Sequence, residues 1–306
     1  MSASSATITG VCPVLSAVFC DDGKVDLEGF RSLSRYVVNS GVNSLMVFGV
    51  ATENSKLTDN ERSDMLEVLV QEREGTGVSL VATVADHSTE LATARAQTWV
   101  DMGADMINIL PSYFLAPAKE EVVSHLGAIL DSVSVPVIIQ SLPSGGLEIP
   151  LSDIVALHQD HPNLSQIKVE NTPAADLVRL VGDLSEGKVS ALVGWGGLEW
   201  QEATEAGAVG VQPGCSLIEV YLGAQKFLDS HDESGFATAF APLRTPLTVW
   251  MRHPEVLIAI EKHILSQRGI IASSRTRHPS ARLTGRDYEL AEEMLKLLPN
   301  ERGTRV

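Results

Sequence analysis

Several features that define common protein classes are scarce or missing in this sequence. Only three of its 306 residues are cysteines, and Cys12, Cys20 and Cys215 form no closely spaced pair. Such sparse usage is typical of a reducing compartment, so it predicts a cytoplasmic protein without a zinc site. No apolar run is long enough to span a bilayer, and residues 1–7 lack the basic start of a signal peptide.

Positive charge is scarce too, since 23 Lys and Arg residues stand against 39 Asp and Glu, for a formal net charge of -16. This acidic balance argues against partners such as nucleic acid or an anionic membrane. A small anionic substrate stays compatible with it, because a site can be locally positive. No Gly-rich loop precedes a helix, and no cluster of His, Asp or Glu has metal-ligand spacing. We therefore expect neither a metal nor another cofactor.

The sequence does contain a regular alternation of apolar strands with amphipathic helices. Strands this continuously apolar are typical of a buried parallel sheet, and about eight such units make a (β/α)8 barrel. An open doubly wound sheet is the alternative, but it usually has fewer strands and a Gly-rich first turn, unlike Asp21-Asp22-Gly23. The predicted strands cover residues 10–19, 44–49, 78–84, 105–110, 135–140, 164–170, 189–194 and 208–212.

The alternation ends near Phe227, and only helical patterns follow. We therefore divide the chain into a barrel domain, residues 1–227, and a C-terminal helical extension, residues 228–306. A basic segment at residues 275–279 interrupts the helices of the extension. The extension is expected to cover barrel helices or to form an oligomer contact. Its predicted helices cover residues 235–251, 255–268 and 287–298.

The sixth predicted strand carries two charged residues, Lys168 and Glu170. They are two positions apart, so their side chains lie on the same face of the strand. Charges in a buried strand are unfavourable unless they are paired or used in chemistry. Taken alone, a lysine at a strand end is more often a solvated charge or half of an ion pair than a catalytic group.

The barrel context favours chemistry, because catalytic residues of this fold lie at the C-terminal ends of its strands. Burial among apolar walls lowers the pKa of a lysine and makes its neutral, nucleophilic form available. The natural electrophile for such an amine is a ketone. We therefore predict that Lys168 forms a Schiff base with a keto substrate.

Three motifs along the chain carry a family resemblance. They are Gly49-Val50-Ala51-Thr52-Glu53, Leu110-Pro111-Ser112-Tyr113 and Ile167-Lys168. They resemble the Gly-Thr/Ser-Thr/Ser-Gly-Glu loop, the Pro-x-Tyr motif and the Schiff-base lysine of the class I lyases that include dihydrodipicolinate synthase and N-acetylneuraminate lyase. The resemblance covers nearly the whole chain. It implies a (β/α)8 barrel with a C-terminal helical extension, a 2-keto acid substrate and a homotetramer, with Tyr113 at the subunit-facing position.

Other positions depart from most members of that family. Gln140 stands where most have a tyrosine, and Val50 and Ala51 replace hydroxyl-bearing residues of the loop. Gly145 stands in place of the arginine with which dihydrodipicolinate synthase holds its second substrate. Because an amide cannot relay a proton as a phenol does, these departures make dihydrodipicolinate synthesis a poor fit.

The branch of 2-keto-3-deoxy-L-arabonate dehydratases shares most of these departures. Members resemble this chain in a Gln followed by a Pro-x-Ser/Gly loop, in Lys-x-Glu, in a Trp after strand 7 and in a long basic segment. The branch differs in carrying an Asn where this chain has Val50. The matching residues here are Gln140, Lys168-Val169-Glu170, Trp195 and the segment 271–279.

The resemblance implies dehydration of a 2-keto-3-deoxy sugar acid such as 2-keto-3-deoxy-L-arabonate. Lys168 would attack the C2 ketone, and Glu170 would remove a C3 hydrogen before the C4 hydroxyl leaves. Tyr113, or a water held by Gln140, would protonate the departing hydroxyl. The backbone N–H groups of Ala51 and Thr52, with the Thr52 hydroxyl, would bind the substrate carboxylate. Gly194 and Trp195, after strand 7, are the other expected substrate contacts.

Three alternatives stay open. The same Schiff base, as an iminium, could support retro-aldol cleavage with release of pyruvate. That reaction needs a base at the C4 hydroxyl. A 4-hydroxy-tetrahydrodipicolinate synthase-like enzyme is the second. A non-catalytic homologue that only binds keto acids is the third, because much of the hydroxyl relay is missing.

Overall fold

The computed structural model describes residues 7–111, 117–142 and 149–298. Within them, eight parallel strands form one sheet in the order β1-β8-β7-β6-β5-β4-β3-β2. Strands joined in parallel through helical crossovers confirm the predicted (β/α)8 barrel. The strands are β1 (Gly10–Val11), β2 (Ser44–Val47), β3 (Ser79–Val84), β4 (Met106–Ile109), β5 (Val137–Ser141), β6 (Leu164–Val169), β7 (Ser190–Val193) and β8 (Gly210–Val211).

Isolated backbone contacts, and not a continuous hydrogen-bond ladder, connect the β1 and β2 ends of the sheet and close the barrel. The first strand is much shorter than predicted, because Pro13 lacks an N–H donor and cannot continue the ladder. Beyond it, Val14 bridges Met46 of β2. The Leu15 N–H donates to the Met46 carbonyl over 2.9 Å.

Helices surround the strands, and the side chains of Asp26, Thr58 and Ser88 cap the first three of them. Thr58 and Glu61 form a capping box, since each side chain accepts a hydrogen bond from the other residue's N–H. The helices of the barrel are α1 (Leu27–Val38), α2 (Asp59–Arg73), α3 (Thr89–Asp101), α4 (Lys119–Ser132), α5 (Leu151–Ala156), α6 (Ala174–Ser185), α7 (Trp200–Glu205) and α8 (Ile218–Asp229).

Apolar side chains form two layers that follow the alternation of each strand. Val81, Met106, Ile138 and Leu192 belong to a small cluster inside the barrel. Their sequence neighbours face outward, into a larger core beneath the helices. The barrel is therefore a packed body and not an open channel.

The C-terminal extension adds α9 (Glu233–Trp250), α10 (Pro254–Gln267) and α11 (Gly285–Leu297). The predicted division at residue 227 falls inside α8, two residues before that helix ends. The extension packs onto the barrel through aromatic rings, since Phe236 and Phe240 of α9 meet Trp200 edge to face. Within the described residues, no helix combines the length and apolarity needed to cross a membrane.

Candidate active site

Strand β6 delivers a lysine into the mouth of the barrel. Ile167 and Val169 face outward into the large core, so Lys168 between them faces inward. Its Cα is level with Gln140 of β5 and Leu192 of β7. The residue is only 6% exposed, which places its amine in largely dry surroundings.

A carboxylate meets this amine. The Nζ of Lys168 lies 2.8 Å from Oε1 of Glu170, and Glu170 is itself 7% exposed. The same oxygen accepts a hydrogen bond from Nε2 of Gln140 over 2.9 Å. Asn108 Nδ2 donates to Oε1 of Gln140 over 3.3 Å and also lies 3.2 Å from the Thr83 hydroxyl oxygen. Side chains of four neighbouring strands or strand ends thus orient one carboxylate beside one amine.

The loop after β7 holds the other oxygen of Glu170. The Trp195 N–H donates to Oε2 of Glu170 over 3.0 Å. Trp195 has a φ of +50°, a conformation rarely adopted by bulky residues, and this turn directs its N–H to the carboxylate. A Cβ at Gly194 would lie 2.3 Å from the Glu170 carboxyl carbon, so only glycine permits this approach. Gly194 therefore leaves room for the Glu170 carboxylate, and Trp195 also lines the cavity.

The loop after β2 forms a second side of the cavity, with Val50 and Ala51 in its lining. Within the described ranges, the Ala51 N–H has no acceptor. Thr52 is different, because its hydroxyl donates to the Leu15 carbonyl over 2.6 Å and its N–H donates to the Gly49 carbonyl. Both Thr52 donors are thus used within the fold, whereas the Ala51 N–H is not, and the predicted substrate contacts of both residues stay predictions.

An apolar wall from the C-terminal extension completes the described part of the cavity. This wall consists of Met251, which directly follows α9, and of Pro254, Leu257 and Ile258 of α10. We did not predict these residues, and their helical spacing was the only signal available in the sequence. Spacing shows that a helix face is apolar, but not that the face covers a barrel mouth.

Two further polar groups line the cavity. Among the described residues, Oε1 of the buried Gln212 and Nε1 of Trp195 have no hydrogen-bond partner. Gln212, which follows β8, was not assigned a role from the sequence. Unsatisfied buried polar atoms are rare in proteins, and at a cavity wall they are available to a ligand.

Some predicted features fall outside the described residues. Tyr113 lies in the gap 112–116, so its role stays a prediction. The loop that begins at Pro143 and contains Gly145 is in the gap 143–148. Within the described ranges, no group of three or more His, Cys, Asp or Glu could hold a metal ion.

The chain is similar to proteins of known name over most of its length. It is 26% identical over 296 residues to the L-2-keto-3-deoxyarabonate dehydratase of Azospirillum brasilense, a match that covers 92% of each chain. It is 31% identical over 163 residues to the 4-hydroxy-tetrahydrodipicolinate synthase of Methanococcus maripaludis, covering 53% of this chain and 56% of that one.

Solved structures share the fold. The sialic acid aldolase of Ruminococcus gnavus superposes with a TM-score of 0.85 at 20% identity, covering 94% of this chain and 95% of the aldolase. The dihydrodipicolinate synthase of Rhodopseudomonas palustris gives 0.86 at 20% identity, covering 96% and 98% of the two chains. The sequence model of the dihydrodipicolinate synthetase family matches residues 7–298. The chain is therefore a member of the dihydrodipicolinate synthetase family of lyases.

Proposed function

We propose that the protein is a class I lyase that dehydrates a 2-keto-3-deoxy sugar acid through a Schiff base on Lys168. The contact between Lys168 and Glu170 carries this proposal, because it pairs a potential nucleophile with a potential base inside the barrel. The similarity to a keto-deoxyarabonate dehydratase over 92% of the chain supports a five-carbon acid as substrate.

The first step joins the amine to the substrate. Glu170 takes a proton from the Lys168 ammonium, and the freed lone pair attacks the C2 ketone carbon. The C–O bond then breaks, and the ketone oxygen leaves as water with two of the three ammonium protons. An iminium remains, with one proton on nitrogen. Glu170, whose Oε1 lies 2.8 Å from the Nζ of Lys168, carries the protons from the nitrogen to the departing oxygen.

The second step removes water from the substrate. The iminium withdraws electrons from C3, so Glu170 can take a C3 proton while the electron pair moves toward nitrogen. The electron pair of the resulting enamine then forms the C3–C4 double bond, and the C4 hydroxyl leaves with a proton as water. Tyr113, or a water held by Gln140, is the proposed proton donor. Hydrolysis frees Lys168, and tautomerisation of the five-carbon product gives 2-ketoglutarate semialdehyde.

The cavity walls support a short substrate. We assign the substrate carboxylate to the unpaired N–H of Ala51, on the loop after β2. The apolar wall of Met251, Leu257 and Ile258 offers no partner to additional hydroxyls. A buried hydroxyl without a partner is unfavourable by about 1–3 kcal/mol, so longer acids whose additional hydroxyls meet this wall should bind more weakly.

A product assay tests the proposed reaction. The protein is incubated with 2-keto-3-deoxy acids of five and six carbons, and the products are identified by mass spectrometry. Loss of water from the five-carbon acid supports dehydration. Release of pyruvate would instead show retro-aldol cleavage, and an unchanged substrate would favour a keto-acid-binding homologue.

The assembly is a separate proposal. We propose a homotetramer because the family resemblance places Tyr113 at a subunit contact. Light scattering coupled to size-exclusion chromatography measures the mass directly, to be compared with the 32.8 kDa of one chain. A mass of a single chain at assay concentrations would contradict the tetramer.

A further inference from the structure

A buried carboxylate ends the loop after β2. Glu53 follows the turn that contains Ala51, and its side chain has no exposed surface. Its φ of +56° is left-handed, a conformation that a glutamate adopts only when its surroundings hold it there. The Glu53 N–H donates to the Val50 carbonyl over 3.0 Å, so the position of Glu53 fixes the turn before it.

The C-terminal extension supplies the groups that hold this carboxylate. The ammonium of Lys262, on α10, contacts Oε1 of Glu53 and is fully buried. The N–H of Arg277 donates to Oε2 of Glu53 over 3.1 Å. Lys56, within the loop itself, adds a contact of 3.2 Å to the same oxygen. A buried carboxylate thus receives donors from both sides, as burial of a charge requires.

The basic segment, residues 275–279, also contacts Lys262 and the β2 loop directly. The Arg275 carbonyl accepts a hydrogen bond from Nζ of Lys262 over 3.0 Å. The guanidinium of Arg277 donates to Glu61 and, over 2.6 Å, to the Lys56 carbonyl. The guanidinium of Arg277 is therefore already satisfied by protein groups, and the segment binds the β2 loop.

We infer that Glu53, Lys262 and Arg277 are positioning residues that hold the β2 loop so that the Ala51 N–H faces the substrate carboxylate. The inference rests on the proposed function, since it assigns that N–H to substrate. It gives the extension a role in binding, because Lys262 and the basic segment hold the β2 loop although neither lines the described part of the cavity. Loss of this support should weaken binding of the keto acid more than it slows the chemistry at Lys168.

Two variants test this. Lys262→Met removes the buried ammonium and leaves Oε1 of the buried Glu53 carboxylate without this partner, so that Lys56 and the Arg277 N–H, both at Oε2, have to hold the charge, which can prevent folding. The double variant Glu53→Gln/Lys262→Met removes both charges and keeps the shape, so it folds where the single variant fails. Lys188→Met is the matched control, because Lys188 is an exposed lysine paired only with Glu186 at the surface.

The readout separates binding from turnover. Pyruvate is the probe, and borohydride traps its adduct on Lys168 over a range of pyruvate concentrations. We expect the half-saturating concentration, and KM for the turned-over acid, to rise about tenfold, as for loss of one charge-assisted hydrogen bond. kcat should fall less than KM rises, and Lys188→Met should match the wild type.

The outcomes distinguish the two claims. If the folded double variant traps pyruvate at the wild-type concentration, or loses kcat with KM unchanged, the positioning inference is wrong. If the wild-type protein traps no adduct at all, the proposed Schiff base is wrong, whatever the variants do.

Discussion

The Nζ of Lys168 lies 2.8 Å from Oε1 of Glu170, and both side chains are nearly inaccessible to solvent. Lys168 lies in β6, and Glu170, two positions later, directly follows the strand. The alternation of side chains along the strand therefore places both in the barrel interior. Gln140 and the Trp195 N–H then hold the carboxylate in place. An amine and a base oriented in this way inside a dry cavity suit iminium chemistry.

Glu170→Gln should separate adduct formation from dehydration. The glutamine keeps the shape and an acceptor for the Trp195 N–H, but it cannot take a proton from C3. We expect dehydration to fall about 10²–10⁴-fold, the usual contribution of a general base. The adduct should form more slowly, because Glu170 no longer takes the Lys168 proton, but borohydride should still trap it once solvent has taken that proton and equilibrium is reached. Stopped-time trapping and product assays on the same sample measure both quantities. Equal loss of the product and of the adduct trapped at equilibrium would remove Glu170 from the role of base at C3.

Gly194→Ala should disable the site with little effect on folding. The added Cβ would lie 2.3 Å from the Glu170 carboxyl carbon, so the carboxylate must move away from Lys168. The φ of Gly194 is -97°, so the substitution does not need the left-handed backbone conformation that favours glycine. We expect the thermal midpoint to change little and kcat to fall about 10²-fold, as when a catalytic base is misplaced.

Gly223→Ala is the matched control for that variant. Gly223 lies in α8, and a Cβ there would meet nothing within 4 Å. The control should keep wild-type activity and gain stability slightly, because alanine favours a helix over glycine. Wild-type activity in Gly194→Ala as well would show that the position of the Glu170 carboxylate does not matter to the reaction.

Asp287 gives the extension a pH-dependent stability. Two nitrogens of Arg252 each donate to its carboxylate over 2.7 Å, and the Thr284 N–H adds a third donor. These donors, Arg252 foremost, lower the pKa of Asp287 to about 2 from its ordinary 3.8. Because the folded pKa lies below the unfolded one, the stabilisation is present above pH 3.8 and is lost as pH falls through about 2.

Asp287→Asn should therefore lower the free energy of unfolding by about 2 kcal/mol at pH 7. The difference from wild type should shrink as pH falls from 4 toward 2. Urea unfolding of both proteins at several pH values measures it. Asp176→Asn, at an exposed surface pair, is the control and should change stability by less than about 0.5 kcal/mol at any pH. A constant difference between wild type and Asp287→Asn would contradict the account.

Local patterns made much of the fold predictable. The capping box at Thr58 and the apolar runs of β2 to β7 depend on neighbours in sequence, and their elements formed as expected. The shared face of Lys168 and Glu170 follows from the two-residue period of a strand. β1 was predicted too long because its apolar composition outweighed the missing N–H of Pro13.

Non-local contacts explain what could not be predicted. The apolar wall with Met251 and Ile258 depends on how the extension packs across the barrel mouth, which no local pattern specifies. The commitment of the Thr52 hydroxyl to the Leu15 carbonyl depends on a contact 37 positions away. The contact between Glu53 and Lys262 spans 209 positions and links two predicted domains.

The most direct measurement is mass spectrometry of the protein after borohydride reduction in the presence of pyruvate, with peptide mapping of the modified residue. We expect one added pyruvate-derived group on Lys168, absent in Lys168→Ala, and we expect Lys168→Ala to lose all turnover. An unmodified protein, a group on another lysine, or full activity in Lys168→Ala would contradict the Schiff base on Lys168.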